Sequence, residues 1–469
     1  MPATFTAADL INAARGALLQ GRGEDGFVGV STDSRTCQTG ELFVPLRGER
    51  HDGHAYIPKA LGRGVRGVVV EERAWRRNGF LSRLPKEVTA VAVADTLRAL
   101  GDLAQAWRRR FSIPVVSLTG SCGKTTAKEM IALILSRFYR VLKNELNLNN
   151  LIGLPQTLLQ LDGTFEAAVV EMGMNRFGEI RRLTEISQPA VGVLLNVYPA
   201  HTEGVGCVEG VARAKGELIQ ALSREATLVY NADDLRVACQ AMAFPGRRLG
   251  FGFGPEADLR VVSRHSRGLE GQVIQASWQG ASWPIFLGVP GEHQAMNALA
   301  AVAVALALGL PPGEATRALA DFTAIHRRSQ VQDLPSGVYL LNDCYNANPG
   351  SMATALSTLA ELRGTGRAAA ALGDMLELGA GAVEAHRELG RQAAEAGLDF
   401  LVIYGNHRNE VAEGAKEAGL PAPHLFPVAT KEEGARLLKD FLRPGDWLLV
   451  KGSRSMHMEN LIDLLQKER

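Results

Sequence analysis

Cysteine is scarce in this chain, with five in 469 residues, at Cys37, Cys122, Cys207, Cys239 and Cys344. Their number is odd, they are widely spread, and no two stand in C-x-x-C spacing. A disulfide framework and a cysteine zinc site are therefore not expected, whereas a reducing cytoplasm is. Long hydrophobic runs are lacking too. The most apolar stretch, 298–310, is alanine-rich and stops at Pro311-Pro312, short of the ~20 residues a membrane span needs. Residues 1–10 show no basic segment followed by an apolar core, so no signal peptide is expected. Charge of one sign is not in excess: 51 Lys and Arg stand against 50 Asp and Glu, a net charge of +1. That balance argues against nucleic acid as a partner. The local run Arg108-Arg109-Arg110 reads as a solvated helix face or linker.

What is present is ordinary globular composition, 46% hydrophobic and 22% charged, with a length that suggests about three domains. Glycine is plentiful at 50 residues, which suits tight βα turns and phosphate loops. Three segments separate on pattern. Residues 1–108 mix short β-like runs (27–30, 42–45, 67–70, 89–93) with helix over 97–109. Residues 109–322 repeat apolar strand, glycine turn and helix, with strands expected at 115–119, 167–171, 191–196 and 227–231 and a closing helix at 295–309. Residues 323–469 repeat the alternation, with strands at 338–343, 368–373, 400–404 and 447–451 and helices near 350–362, 382–396, 408–418 and 430–441. A linker is expected over 322–335. Short, nearly continuous apolar runs between helices indicate parallel sheets buried on both faces. The fold class is α/β: a small N-terminal domain, a central parallel-sheet domain and a Rossmann-like C-terminal domain, with sites at strand C-termini.

The strongest motif is Thr119-Gly120-Ser121-Cys122-Gly123-Lys124-Thr125-Thr126, set between an apolar strand and a helix. Small residues let backbone N–H groups converge on phosphate oxygens, and the helix N-terminus adds partial positive charge. Lys124 would reach the β- and γ-phosphates and Thr125 would ligate Mg²⁺. Leu118 stands where the general phosphate-loop pattern begins with glycine. A nucleotide switch or motor would usually add an Asp after a strand and a base-reading N-K-x-D. Here Glu171 ends its strand and no N-K-x-D occurs, which favours an enzyme that uses ATP on a bound substrate.

Eight further motifs carry a resemblance. Asn147-Leu148-Asn149-Asn150-Leu151-Ile152-Gly153-Leu154-Pro155, Glu171-Met172-Gly173, Ala200-His201-Thr202-Glu203-Gly204 and Ala214-Lys215 follow the phosphate loop in the order seen in the Mur ligases, the cytoplasmic ATP-dependent enzymes that extend the peptide of the peptidoglycan precursor. The 342–349 and 372–379 motifs of the third segment, Asn342-Asp343-Cys344-Tyr345-Asn346-Ala347-Asn348-Pro349 and Leu372-Gly373-Asp374-Met375-Leu376-Glu377-Leu378-Gly379, look like those of the member that adds D-alanyl-D-alanine to UDP-MurNAc-tripeptide. Ser31-Thr32-Asp33-Ser34-Arg35 and Gly40-Glu41-Leu42-Phe43 are similar to that family's uridine-nucleotide domain. Three departures stand out: Gln294 where Asn is usual in G-x-H-N-x-x-N, Asn342-Asp343-Cys344 where Asp-Asp-Ser is usual, and His326-Arg327-Arg328 where the linker usually carries Gly-Arg.

The resemblance implies ligation through an acyl phosphate, with ATP, UDP-MurNAc-tripeptide and D-alanyl-D-alanine as substrates and two Mg²⁺ sites. It makes Lys124, with the 120–126 loop, the triphosphate cradle, and Thr125 with Glu171 the ligands of one Mg²⁺. His201 would ligate a second Mg²⁺ and Lys215, carbamylated, would support it; each also reads as a plain loop histidine or solvated helix lysine. Asn297 would contact adenine, Asp343 the ribose, and Arg328 the phosphates. Tyr345, Asn346 and Asn348 would shape the cleft, although Asn348 suits a helix cap nearly as well. Ser31, Asp33, Ser34 and Arg35, with Arg47 as a weaker addition, are candidates for the uridine diphosphate. Asn147, Asn149 and Asn150 fit a turn cluster or substrate contacts equally. A monomer is expected. The alternatives are a single-amino-acid-adding relative, a folylpolyglutamate synthetase or a non-catalytic nucleotide switch. The absent D-N-P-R acceptor motif speaks against a diaminopimelate-adding enzyme, and the length of the first segment against the folate enzyme.

Overall fold

Short, mostly apolar runs bounded by turn residues read as strands covered on both faces, and the computed structural model places them so. It describes residues 3–48, 51–77 and 84–467. The central sheet has nine strands. Six run parallel in the order Leu259–Ser266, Arg247–Gly252, Thr227–Asn231, Val191–Leu194, Val115–Thr119 and Ala167–Glu171, and Val141–Lys143 extends them in parallel at one edge. Val115–Thr119 therefore lies inside the sheet, flanked by strands that come later in the chain, which opens a crevice at its C-terminal end. Helix Glu292–Ala307, apolar nearly all round, is buried beside helix Lys124–Leu135 in one continuous core, as a helix without a polar face must be.

The other edge departs from expectation. Leu259–Ser266, Gln272–Trp278 and Ala281–Leu287 are antiparallel to one another, so the middle sheet is mixed rather than wholly parallel. These strands alternate in burial instead of running apolar throughout.

The N-terminal sheet has five strands in the order Ala17–Gln20, Thr89–Val93, Gly67–Glu71, Leu42–Phe43 and Val30–Ser31; only the first pairing is antiparallel. The run expected as one strand over 27–30 is broken at Gly29 (φ 92). Gly26–Val28 pairs with Thr4–Thr6, and Val30–Ser31 joins the five-stranded sheet. The C-terminal sheet has six strands, five of them parallel, with Gln330–Asp333 antiparallel at its edge. The stretch 322–335, expected as a linker, thus contributes a strand to the third sheet.

Arg108 also departs from its reading as a solvated residue. It is 8% exposed and its guanidinium donates to the carbonyls of Ser187 (3.1 Å), Phe111 (2.6 Å) and Ile113 (3.0 Å). It ties the end of helix Thr96–Arg108 to the central domain. No helix among the described residues is long and apolar enough to cross a membrane.

Candidate active site

The loop after Val115–Thr119 turns at Gly123, whose φ of 78 and whose place 2.4 Å from Asn297 Oδ1, measured from an added Cβ, both demand glycine. Beyond it the first-turn amides of helix Lys124–Leu135 lack intrahelical acceptors and are available to an anion. Asn196, just past Val191–Leu194, shapes the loop from the neighbouring strand. Its Oδ1 accepts from Cys122 N (2.8 Å), its Nδ2 donates to Cys122 O (3.1 Å), and its carbonyl accepts from Ser121 N (3.0 Å). The Ser121 hydroxyl donates to Tyr198 O and accepts from Tyr198 N, both at 2.9 Å.

Two lysines meet one carbonyl here. Lys124 Nζ donates to Gly120 O at 2.9 Å, and so does Lys215 Nζ at the same distance. Burial pushes Lys124 below the usual lysine range. Burial, then the charge of Lys124, holds Lys215 well below it.

Glu171 is held at both oxygens. Oε2 accepts from Thr125 Oγ1 (2.8 Å) and Oε1 from Asn149 Nδ2 (2.7 Å). Buried Asn144 brackets the Glu171 backbone, accepting from its N–H (2.9 Å) and donating to its carbonyl (3.0 Å). Asn150 Oδ1 accepts from Gly153 N (2.9 Å) and Ile152 N (3.1 Å), the turn-cluster arrangement. Asn147 lines the cavity, and its carbonyl accepts from Asn149 N.

The third domain closes the opposite wall. Asp343 Oδ1 accepts from Ser329 N (2.8 Å), and buried Lys451 donates to Asp343 Oδ2 (2.5 Å) and to Asn346 O (2.9 Å). Arg328 stacks over the Tyr345 ring at 3.9 Å, while Arg327 is drawn away to Glu459 (2.9 Å). Of the two arginines, Arg328 is therefore the one facing the cleft. Asn348 serves as the helix cap: its Oδ1 accepts from Ser351 N (2.9 Å) at the start of helix Pro349–Arg363, and it also accepts from the Cys122 thiol (3.1 Å). His201, at φ 55, places Nδ1 2.5 Å from Glu377 Oε2. The imidazole holds the Glu377 carboxyl below its ordinary value.

These groups surround one cavity of about 1280 Å³, lined by the 121–126 loop, Glu171, His201, Asn297, Arg328 and Asp343 among others. Asn297 Nδ2 donates to Gln294 Oε1 (3.1 Å), so the unusual Gln294 fixes the rotamer of Asn297. Thr125 and Glu171 offer the hard oxygen donors that Mg²⁺ takes. Lys215, by contrast, lies buried against Gly120 O, and among the described residues no three His, Cys, Asp or Glu side chains are grouped for a metal.

The first-domain candidates lie outside this cavity. Ser31 Oγ and Asp33 close a tight turn, and the hydrogen-bonded Arg35 guanidinium pulls the Asp33 carboxyl down to about 2. Ser34 is buried. Arg47 lies between Asp52 (3.2 Å) and Glu71 (3.1 Å). Adjacent parallel strands end beside these residues, and Gln156 Nε2 donates across the domain junction to Thr32 Oγ1 (2.8 Å).

Comparison with known proteins identifies this arrangement. The UDP-N-acetylmuramoyl-tripeptide–D-alanyl-D-alanine ligase of Bacillus subtilis is 34% identical over 443 residues, covering 93% of each chain. Family models match residues 27–108 (Mur ligase family, catalytic domain), 118–305 (Mur ligase middle domain) and 327–454 (Mur ligase, glutamate ligase domain). The chain belongs to the Mur ligase family. A crystal structure of MurF from Acinetobacter baumannii superposes on this Mur ligase with a TM-score of 0.90 at 32% identity, over 100% of both chains. The MurF ligase of Thermotoga maritima in complex with ADP follows at 0.81 and 28%, over 94% and 97% of the two chains. Sequence reasoning passed over Asn196, Asn144 and Lys451 in this Mur ligase. Only Lys451 left a signal, a cation closing an otherwise apolar strand.

Proposed function

We propose that this chain is an ATP-dependent ligase that adds D-alanyl-D-alanine to UDP-MurNAc-tripeptide through an acyl phosphate. The observation that carries the reading is the single cavity shared by the phosphate loop, Glu171 and the third-domain pair Arg328 and Asp343; relatives of that name match nearly the whole chain. Joining a carboxylate to an amine is uphill in water. Transfer of the γ-phosphoryl group to the tripeptide carboxylate, with ADP leaving, turns that oxygen into part of a good leaving group. The dipeptide amine then attacks the acyl carbon, loses a proton, and phosphate departs.

Lys124 leaves the carbonyls of Gly120 and Ser121 for the β- and γ-phosphates, and the loop amides hold the charge that develops in transfer. Asn297 takes the adenine, Asp343 the ribose hydroxyls and Arg328 the phosphates. Because these last two belong to the third domain, nucleotide binding draws the walls together and keeps water from the acyl phosphate. Thr125 and Glu171 would hold Mg²⁺, which would offset phosphate charge. Burial and the charge of Lys124 disfavour the ammonium form of Lys215; its free amine would react with CO₂, losing a proton, and the carbamate with His201 would support a second Mg²⁺. Ser31, Asp33, Ser34, Arg35 and Arg47 form the uridine diphosphate site, and Tyr345, Asn346 and Asn348 shape the acceptor side. Asn149 acts on substrate through Glu171. Residues 1–108, 109–322 and 323–469 are the three domains of a cytoplasmic, monomeric enzyme.

The test is phosphate release with ATP, Mg²⁺ and UDP-MurNAc-tripeptide, with and without D-alanyl-D-alanine, the product weighed by mass spectrometry. Dipeptide-dependent turnover and a product one dipeptide heavier are expected. Turnover with a single amino acid would point to a neighbouring family member, and ATP hydrolysis indifferent to both substrates would refute the ligase.

A further inference from the structure

A polar chain crosses from the third domain to the turn that begins helix Glu292–Ala307. In helix Pro349–Arg363, both oxygens of Glu361 accept from Arg264 Nη2 at 2.8 Å. Arg264 belongs to the antiparallel edge of the middle sheet, so the pair spans the domain junction. Its Nε donates to Gln272 Oε1 at 2.5 Å. Gln272, 1% exposed, passes the connection on: its Nε2 donates to Val289 O (2.8 Å) and Gly291 O (2.9 Å). Those carbonyls frame the turn that opens the helix carrying His293, Gln294 and Asn297. One turn before Glu361 on the same helix, Thr358 Oγ1 stands 2.7 Å from where a Cβ on Gly291 would lie. The third-domain helix therefore meets this turn directly and through three side chains.

We infer that Arg264 and Gln272 are positioning residues for the nucleotide: they fix the turn that opens the Asn297-bearing helix only when Glu361 arrives with the third domain. This inference rests on the proposed nucleotide site. The chemistry favours it over a merely decorative surface pair. The guanidinium uses separate nitrogens for Glu361 and Gln272, so losing Glu361 frees the guanidinium to swing away from the glutamine. Gln272 in turn has its Oε1 and Nε2 committed, and a rotation about its amide would set an oxygen against two carbonyls. Arg264 and Glu361 are part-buried, at 16% and 25% side-chain exposure, where charge-assisted hydrogen bonds are stronger than in open water. Contiguity alone does not establish coupling, so non-additivity is the decisive observation.

The experiment is calorimetric titration of ADP with Mg²⁺ into the full chain and its Arg264→Met, Glu361→Ala and doubly substituted forms, with thermal unfolding of each. Each single variant should raise the ADP dissociation constant about five- to tenfold, and the double variant should be no worse than the weaker-binding single. The affinity for the uridine-nucleotide substrate should not change. Glu361→Ala removes only a part-exposed carboxylate and keeps the test open if Arg264→Met fails to fold. Unchanged ADP affinity in Glu361→Ala, additive effects, or a lowered melting temperature with unaltered affinity would each overturn the inference. Absence of ADP binding by the unsubstituted chain would instead refute the nucleotide site itself.

Discussion

Lys124 and Lys215 share the carbonyl of Gly120, each at 2.9 Å, and two ammonium groups cannot comfortably do so inside a protein. The arrangement lowers the cost of a neutral Lys215. If that amine is carbamylated in use, enzyme held without CO₂ at mildly acidic pH should lose turnover and recover on adding bicarbonate. Lys215→Arg, permanently charged, should lose about a hundredfold or more and not recover. Lys124→Met should lower kcat by about a thousandfold with an unchanged melting curve. His293 gives a pH signature. Burial lowers its pKa to about 4, its Nε2 lies 3.3 Å from Ser329 Oγ, and its buried Nδ1 has no hydrogen-bond partner. An unfolded histidine takes its proton near 6.5, so the unfolded state binds the extra proton between pH 6.5 and 4. The contribution is full above 6.5 and is lost as the pH falls through that window. Denaturant titrations of the protein and its His293→Gln variant should diverge there, by about 3 kcal/mol at most. Contiguity decided which residues could be read from sequence: the phosphate loop declares itself within eight positions, whereas Asn196 and Gln272 act on partners reached only through the fold.

At the scale of elements, the strands that sequence revealed are those covered on both faces. Val115–Thr119, Ala167–Glu171 and Trp447–Lys451 are mostly apolar, buried at every position, and fall where expected. The edge strands Gln272–Trp278 and Ala281–Leu287 cover one face only, so their period-two alternation carries less apolar signal. Their turn, Gln279-Gly280, takes positive φ at both residues (50 and 80), as a two-residue hairpin loop requires. The same limit applies to charge. Arg108 looks like the start of a basic run, yet three backbone carbonyls that close the helix Thr96–Arg108 junction depend on it. Arg108→Ala leaves those acceptors unsatisfied in a buried place and should destabilise the protein by about 2–4 kcal/mol in urea unfolding, against under 1 kcal/mol for Arg109→Ala.

At the scale of the whole molecule, scattered polar contacts among the described residues join the middle and third domains. They include Cys122 with Asn348, Thr202 Oγ1 donating to Leu378 O (2.9 Å), Glu203 N donating to Glu377 O (3.2 Å), His293 beside Ser329, His201 beside Glu377, and Arg264 paired with Glu361. At about 1 kcal/mol for each neutral hydrogen bond, they bias a closed arrangement without locking it, and a ligand gripped by both walls supplies the rest. Close approach also depends on a missing side chain. A Cβ on Gly350, at the start of helix Pro349–Arg363, would lie 2.4 Å from the Tyr198 ring. Tyr198 is tied at both its backbone polar groups to the Ser121 hydroxyl, so it cannot withdraw without disturbing the phosphate loop. Gly350→Val should therefore hold the third domain away from the nucleotide while leaving each domain folded. The expected result is a KM for ATP raised about tenfold and a radius of gyration, from small-angle X-ray scattering with ADP and Mg²⁺, larger than that of the unsubstituted protein. An unchanged scattering profile together with an unchanged KM would show that the tyrosine yields, and that closure does not pass through this contact.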